Sequence, residues 1–273
     1  MIKDITLGQF FPGNSIVHKL DPRMKIILTV AYIVAIFLAK NLYSFALVTA
    51  SAIALVLLSG ISWKTILKSL KPLIFVLAFT TFFNLFWTTG ETPLVDFWII
   101  TIYPEGIIFS VMMILRITSL LIGTTVLLTY TTSPIMLTDA LERLLAPLRK
   151  IKIPVHEFSM MMTIALRFIP TLVEETDKIM SAQKARGADF ESGSLVRRAK
   201  ALVPILIPLF ISAFRRADEL ATAMECRCYR GGDGRTRMTK LKLAVRDFAA
   251  VAVMALFIAA IVVLNALPCA IAL

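Results

Sequence analysis

The sequence predicts an all-α membrane protein with about five transmembrane helices and two long helices outside the bilayer. The first reason is composition: 58% of the 273 residues are apolar and the mean hydropathy is +0.81, while only 17% are charged, against about 25% in ordinary soluble domains. The second is clustering, since the apolar residues gather into runs near membrane-spanning length. The third is where the charge lies. Lys and Arg number 29 against 18 Asp and Glu, a net +11, and most of that excess falls in one block between apolar runs. A basic face with exposed aromatics would suit nucleic acid; basic loops flanking spans are what a membrane topology produces.

In chain order the runs Ile26–Ala39, Leu42–Leu58, Pro72–Trp87, Ile107–Tyr130 and Phe248–Leu267 predict spans. They divide the chain into a membrane region at 1–131, a cytoplasmic region at 132–247 and a last span within 248–273. The first run has 14 residues, about 21 Å of helix, so it needs tilt, local thinning or a re-entrant hairpin. Lys40-Asn41 makes a tight link to the second run. Gly60-Ile61-Ser62 and Pro72 bracket a basic connector holding Lys64, Lys68 and Lys71.

Orientation follows from the basic residues. Four precede the first span (Lys3, Lys19, Arg23, Lys25), twenty lie between Thr132 and Asp247, and none follows Asp247. The connector Thr88–Gly106 has no Lys or Arg but holds Glu91, Asp96 and Glu105. The positive-inside rule then puts the N-terminus in the cytoplasm and the C-terminus outside. Met1 to Ser15 has no apolar core of the kind a cleaved signal peptide requires.

Within the cytoplasmic block, Phe158, Met162, Ala165, Ile169, Leu172 and Ile179 recur at helical spacing. They predict an amphipathic helix from Val155 to a stop at Gly187, with a kink at Pro170. A second helix is expected from about Leu195 to Cys228. Its uncharged stretch Ala201–Phe214 resembles a span, but crossing would carry nine basic residues, Arg215 to Arg246, through the bilayer. It is expected to lie against the membrane face or other protein.

The two helix ends repeat. Asp177, Ala182, Ala185, Arg186 and Gly187 match Asp218, Ala223, Cys226, Arg227 and Cys228 at a constant offset of 41 residues. At the same offset Glu174 and Glu175 stand opposite Arg215 and Arg216, so the helices either pair there or expose two solvated clusters. A single Arg in a last turn is satisfied by the helix dipole alone. Two copies of small-Arg-small also present two guanidinium forks of the kind that bind carboxylates bidentately, which points to paired receptors. Met160, Met161 and Met162 form either core filler or an adaptable apolar surface.

These residues carry a family resemblance that covers nearly the whole chain. Leu20-Asp21-Pro22-Arg23-Met24-Lys25, Ala165-Leu166-Arg167-Phe168-Ile169-Pro170, Ala185-Arg186-Gly187 and Arg230-Gly231-Gly232-x-Gly234-Arg235-Thr236-Arg237 resemble, in order, the motifs of the T component of energy-coupling factor transporters. These are ABC-type importers of vitamins and metal ions in the bacterial plasma membrane. The resemblance implies that Arg186 and Arg227 each dock on one of two ABC-type ATPase subunits. It also implies that the partner ATPases bind ATP and Mg, and that a membrane-embedded S component captures the substrate; the adaptable surface of Met160, Met161 and Met162 is a sequence rationale for its docking. Cys226-Arg227-Cys228 departs from the family's Ala-Arg-Gly, which moves the expected helix stop to Gly231-Gly232.

No cofactor, metal site or catalytic role is expected of the chain itself. Three cysteines, Cys226, Cys228 and Cys269, make no disulfide framework, and His18 and His156 have no carboxylate or cysteine at ligand spacing. No Gly-Lys dipeptide exists to build a P-loop. Two transport alternatives stay open: a dedicated cobalt or nickel importer, or an ordinary ABC permease with its solute path through this chain. Arg116 is the one intramembrane charge. It marks either a functional site or a cation bonded to backbone carbonyls.

Overall fold

The computed structural model describes residues 10–87, 95–97, 100–190, 194–231 and 241–267. They divide into two compact units, one within Gly8–Leu137 and Lys240–Leu273, the other within Thr138–Thr239.

The first unit is a helical bundle. It contains α1 (Pro22–Leu38), α2 (Leu42–Ser59), α3 (Trp63–Leu70), α4 (Ile74–Trp87), α5 (Pro104–Thr124) and α9 (Val245–Asn265). Leu42–Ser59, Trp63–Trp87, Pro104–Tyr130 and Val245–Asn265 are each long and apolar enough to cross a membrane. The 17 residues of α1 reach about 26 Å, close to the thickness of a hydrocarbon core. The basic connector expected before Pro72 is itself helical: α3 buries Ile66, and a 3₁₀ turn at Lys71–Leu73 carries the chain through Pro72 into α4. A short antiparallel ribbon, β1 (Val95–Phe97) with β2 (Ile100–Ile102), adds a non-helical element that the helical reading did not include. Ile100-Thr101-Ile102 is a β-branched run, which favours extended backbone over helix.

The core is built where α1, α2, α5 and α9 meet. Tyr32, Ala35 and Ile36 from α1 pack with Phe45 and Val48 from α2, Met112 from α5 and Ile261 from α9. Gly123 permits a close approach of α5 to α1, since a Cβ there would lie within the Tyr32 ring. Beyond it, α5 continues as a π-helical segment, Thr125–Tyr130, whose Val126, Leu127 and Tyr130 are buried.

Both ends of α1 are tied to α9. Asp21 caps α1 by accepting from the Arg23 N–H at 2.9 Å, and Pro22 begins the helix. The Asp247 carboxylate accepts from the Asp21 N–H at 2.8 Å and the Ala244 N–H at 2.7 Å, so one buried side chain serves the starts of both helices. At the other end Asn265 donates to Leu38 O at 2.7 Å and accepts from Ser44 Oγ at 2.7 Å. With start joined to start and end to end, α1 and α9 run parallel. Lys25 is 1% exposed, yet its ammonium donates to Thr131 O at 2.7 Å and to the Thr131 and Thr132 hydroxyls at 3.2 Å each. A buried charge persists only with such a set of acceptors.

The second unit holds α7 (Val155–Ala185) and α8 (Leu195–Cys226), which pack on each other. The preceding α6 (Pro134–Leu144) reaches into this unit; Ser159 of α7 donates to its Thr138 carbonyl at 3.3 Å. Both long helices are continuous through their prolines: Pro170 in α7, Pro204 and Pro208 in α8. Ile205 is the one fully buried apolar side chain in the uncharged stretch of α8, and Leu206, Phe210 and Phe214 are exposed. Within this chain that stretch is largely uncovered.

Candidate functional site

The last turns of α7 and α8 have the same backbone design. In α7, Arg186 is the cap residue, Gly187 follows at φ +87°, the Gly187 N–H donates to Lys184 O and the Ala188 N–H to Gln183 O, both at 3.0 Å. In α8, Arg227 is the cap, Cys228 follows at φ +54°, the Cys228 N–H donates to Glu225 O at 2.8 Å and the Tyr229 N–H to Met224 O at 3.0 Å. These are two Schellman motifs, matched bond for bond at the 41-residue offset.

The expected displacement of the second stop to Gly231-Gly232 is therefore corrected. The helix stops at Cys226, and Cys228 takes the left-handed position that Gly187 takes in the first copy. Satisfying two otherwise orphaned carbonyl groups offsets a strain of about 1–2 kcal/mol at a residue with a Cβ. Gly231 also has positive φ, +88°, but it lies past the helix. Residues 232–240, including Gly232, Gly234, Arg235, Thr236 and Arg237 of the matching motif, fall outside the described residues.

Cys228→Gly is accordingly expected to stabilise the chain by about 1 kcal/mol, and Gly187→Ala to destabilise it by a similar amount. Thermal unfolding in detergent of the two variants checks this; a destabilised Cys228→Gly would contradict the cap assignment.

Arg186, Arg227 and their neighbours Ala185, Gly187, Cys226 and Cys228 are all exposed. Among the described residues neither arginine makes an ion pair. Two guanidinium groups thus stand at equivalent helix ends, flanked by residues too small to shield them. Such ends can receive carboxylates from another protein at close range.

Of the four paired charges, Glu175 and Arg216 meet: Arg216 Nη2 lies 2.8 Å from Glu175 Oε2, with both side chains half-buried. Glu174 and Arg215 make no ion pair among the described residues, and both are exposed. A hydrogen bond from the Ser212 hydroxyl, together with Arg216, holds the Glu175 carboxyl below the ordinary glutamate range. The contacting residues are themselves 41 apart, so the helices touch at equivalent positions. Each arginine lies eleven residues past the contact, about 16 Å along its helix.

A double-mutant cycle on Glu175 and Arg216 is expected to give a coupling of about 0.5–1 kcal/mol, and Glu174 with Arg215 none. Because the folded-state pKa of Glu175 is depressed, its contribution is complete above the ordinary carboxylate range and disappears as pH falls through the folded value. Coupling measured by thermal unfolding over a series of pH values from 7 downward checks both parts. No coupling at pH 7 would contradict the assignment.

Met160 is half-buried, whereas Met161 and Met162 are 58% and 41% exposed, so two of the three sit on the surface of this unit. Arg116 donates to Ala39 O, the C-cap carbonyl of α1, at 3.1 Å, and its guanidinium lies 5.1 Å from the Phe45 ring centroid. A helix C-terminus and an aromatic face both favour a cation there. Sequence spacing left His156 without a carboxylate. The fold supplies one, Glu142 at 2.9 Å from Nδ1, from a helix 14 residues earlier. Among the described residues no group of three or more His, Cys, Asp or Glu could hold a metal.

Ser212 and Asp247 were not singled out from the sequence. The 41-residue offset points to Arg216 but carries no signal for a hydroxyl one turn earlier. Asp247 stood only as the end of a basic block.

A family model described as cobalt transport protein matches residues 13–239. The energy-coupling factor transporter transmembrane protein EcfT of Clostridium kluyveri is 56% identical over 251 residues, 92% of this chain and 93% of the relative. The protein of the same name from Ruminiclostridium cellulolyticum is 56% identical over 90% of this chain and 92% of its own length. The Bacillus subtilis EcfT is 46% identical over 90% and 93%.

Proposed function

Because the chain belongs to the EcfT family of energy-coupling factor transporter transmembrane proteins, we propose that its two arginine-tipped helices carry ATP-driven motion from two ATPase subunits to a substrate-binding S component. The chain is a transmembrane transporter component and not itself an enzyme; in this reading ATP and Mg are bound by the partner ATPases. The observation that supports it is the duplicated helix end: same cap, same pair of carbonyl bonds, same exposed arginine. Each end suits one receptor, and two equivalent ends suit a pair of like subunits. Contact at Glu175 and Arg216 makes each α7 or α8 end the arm of a shared pivot, so a displacement at one end is felt by the other helix.

The S component is assigned the exposed apolar side chains of these helices, Met161 and Met162 on α7 among them, because mobile thioethers adapt to differently shaped partners. The N-terminus lies in the cytoplasm and the C-terminus outside the bacterial plasma membrane. Two things support this: the charge asymmetry, and the parallel course of α1 and α9, which an odd number of spans requires of a first and last span crossing in the same sense. The cargo of a vitamin or micronutrient importer of this kind is selected by the S component. The description of the matched family, cobalt transport protein, carries a second reading, a dedicated cobalt importer.

Solubilisation of the tagged chain in mild detergent should recover two ATPase subunits and a small, apolar membrane subunit. The ligand held by that last subunit separates the vitamin reading from the metal-ion reading. Recovery of the chain without ATPases, from membranes that contain them, would count against the proposal.

A further inference from the structure

Between α1, α2 and α9 lies a half-open groove of about 410 Å³, lined almost entirely by apolar atoms. On α9 its lining runs from Arg246 to Phe257, a rise of about 16 Å, which is the depth of a single leaflet in a hydrocarbon core about 30 Å thick. Along the groove the polar groups are already satisfied: the Tyr32 and Ser51 hydroxyls share a hydrogen bond at 3.3 Å. Nothing along its wall calls for water or a polar ligand.

The mouth differs in character. Arg246 is exposed and makes no ion pair among the described residues; Lys19, beside the lining residue Leu20, and Lys242 are exposed as well. Neither Asp247 nor Asp21 forms an ion pair with Arg246. Both oxygens of Asp247 accept backbone N–H groups, and Asp21 is paired with Arg23 at 3.2 Å. The result is an apolar slot one leaflet deep with an exposed guanidinium at its end.

We infer that this groove holds one anionic phospholipid, with an acyl chain along α9 and its phosphate at Arg246. The apolar wall matches an acyl chain and the exposed guanidinium at its end matches a phosphate, the two parts of one such lipid. An acyl chain gains little by leaving other acyl chains, since lipid is as apolar as leucine. Selectivity therefore resides in the headgroup, and basic residues between helices at a cytoplasmic mouth are the chemistry that supplies it.

The test is native mass spectrometry of the full chain in detergent, with whatever subunits accompany it, titrated with dimyristoyl phosphatidylglycerol and, separately, dimyristoyl phosphatidylcholine. One tightly held phosphatidylglycerol per chain is expected, preferred over phosphatidylcholine. Arg246→Gln should reduce that preference about fivefold, what one basic residue near an anionic surface amounts to, without lowering the melting temperature. Ala250→Phe should fill the groove and remove the tight site for both lipids. Lys64→Gln, an exposed cation elsewhere, should change nothing.

Equal retention of the two lipids would overturn the inference, as would a preference that survives Arg246→Gln. So would photo-crosslinking of position 253 to a partner subunit in the intact complex, which would show the groove covered by protein. Arg246 is exposed, so its variant keeps the test decisive even if Ala250→Phe fails to fold.

Discussion

Alanine at both Arg186 and Arg227 is expected to release both ATPase subunits and abolish substrate uptake, with the chain still inserted at normal abundance. Both side chains are exposed and unpaired by ions within the described residues, so their loss removes nothing that holds this chain together. The effect falls on the partners. Each helix end is the sole counterpart of one receptor in the proposed function, and truncating one member of a buried, hydrogen-bonded charge pair costs about 2–5 kcal/mol. A single alanine should weaken assembly and reduce uptake, the two singles being comparable because the two caps are alike. Lysine at either position should also be defective, since an ammonium lacks the planar fork. The measurement is ATPase copurification and uptake for the singles, the lysine variants and the double mutant at matched membrane levels. Full uptake by the double alanine mutant would leave the arginines as ordinary helix-end cations and overturn the docking assignment.

Asp247→Ala is expected to be the most damaging single change in the membrane-helix unit, lowering its stability by about 2–5 kcal/mol. The carboxylate is 2% exposed and accepts two backbone N–H groups, one from Asp21 and one from Ala244. Alanine leaves the buried Asp21 N–H without an acceptor, at about 1–3 kcal/mol, and removes the cap on the part-buried Ala244 N–H, at about 0.5–2 kcal/mol. It also loosens the start of α1, where Arg23 reaches Leu241 O at 3.1 Å and binds that segment to the same corner. Asparagine keeps one acceptor oxygen but turns an amide NH₂ toward the second donor, so it should recover only part of the loss. Thermal unfolding in detergent, with a protease-accessibility assay on the 241–247 segment, checks both variants. Wild-type stability for Asp247→Ala would show that the two helix starts are held by packing alone.

Reading the helices required only local information. Apolar run length marks the spans because lipid imposes it residue by residue, and helical spacing marks α7 because one face of it is apolar. The helix end at Arg186 was legible for the same reason, since Gly187 is the residue that tolerates left-handed backbone. The second end was misplaced: Cys228 is no glycine, and the next glycines drew the expected stop to 231. What moved it back was the pairing of α8's last carbonyls with Cys228 and Tyr229, a hydrogen-bond requirement strong enough to impose positive φ on a cysteine.

The sequence by itself determined a helical membrane chain, a basic block between apolar runs and a duplicated arginine end, because each is written in composition, in period or in repetition along the chain. Only the tertiary structure decided that Glu175 and not Glu174 meets an arginine, as facing on a packed helix pair depends on the rotation of both helices. It likewise decided that Lys25 is buried among threonine oxygens 106 and 107 residues away, and that Asp247 serves Asp21 across 226 residues. The groove beneath Arg246 belongs to the same class. Such contacts join residues whose identities are unremarkable in isolation, and no local period records them; they exist because α1, α2, α5 and α9 close around one core and bring distant helix ends to the same corner.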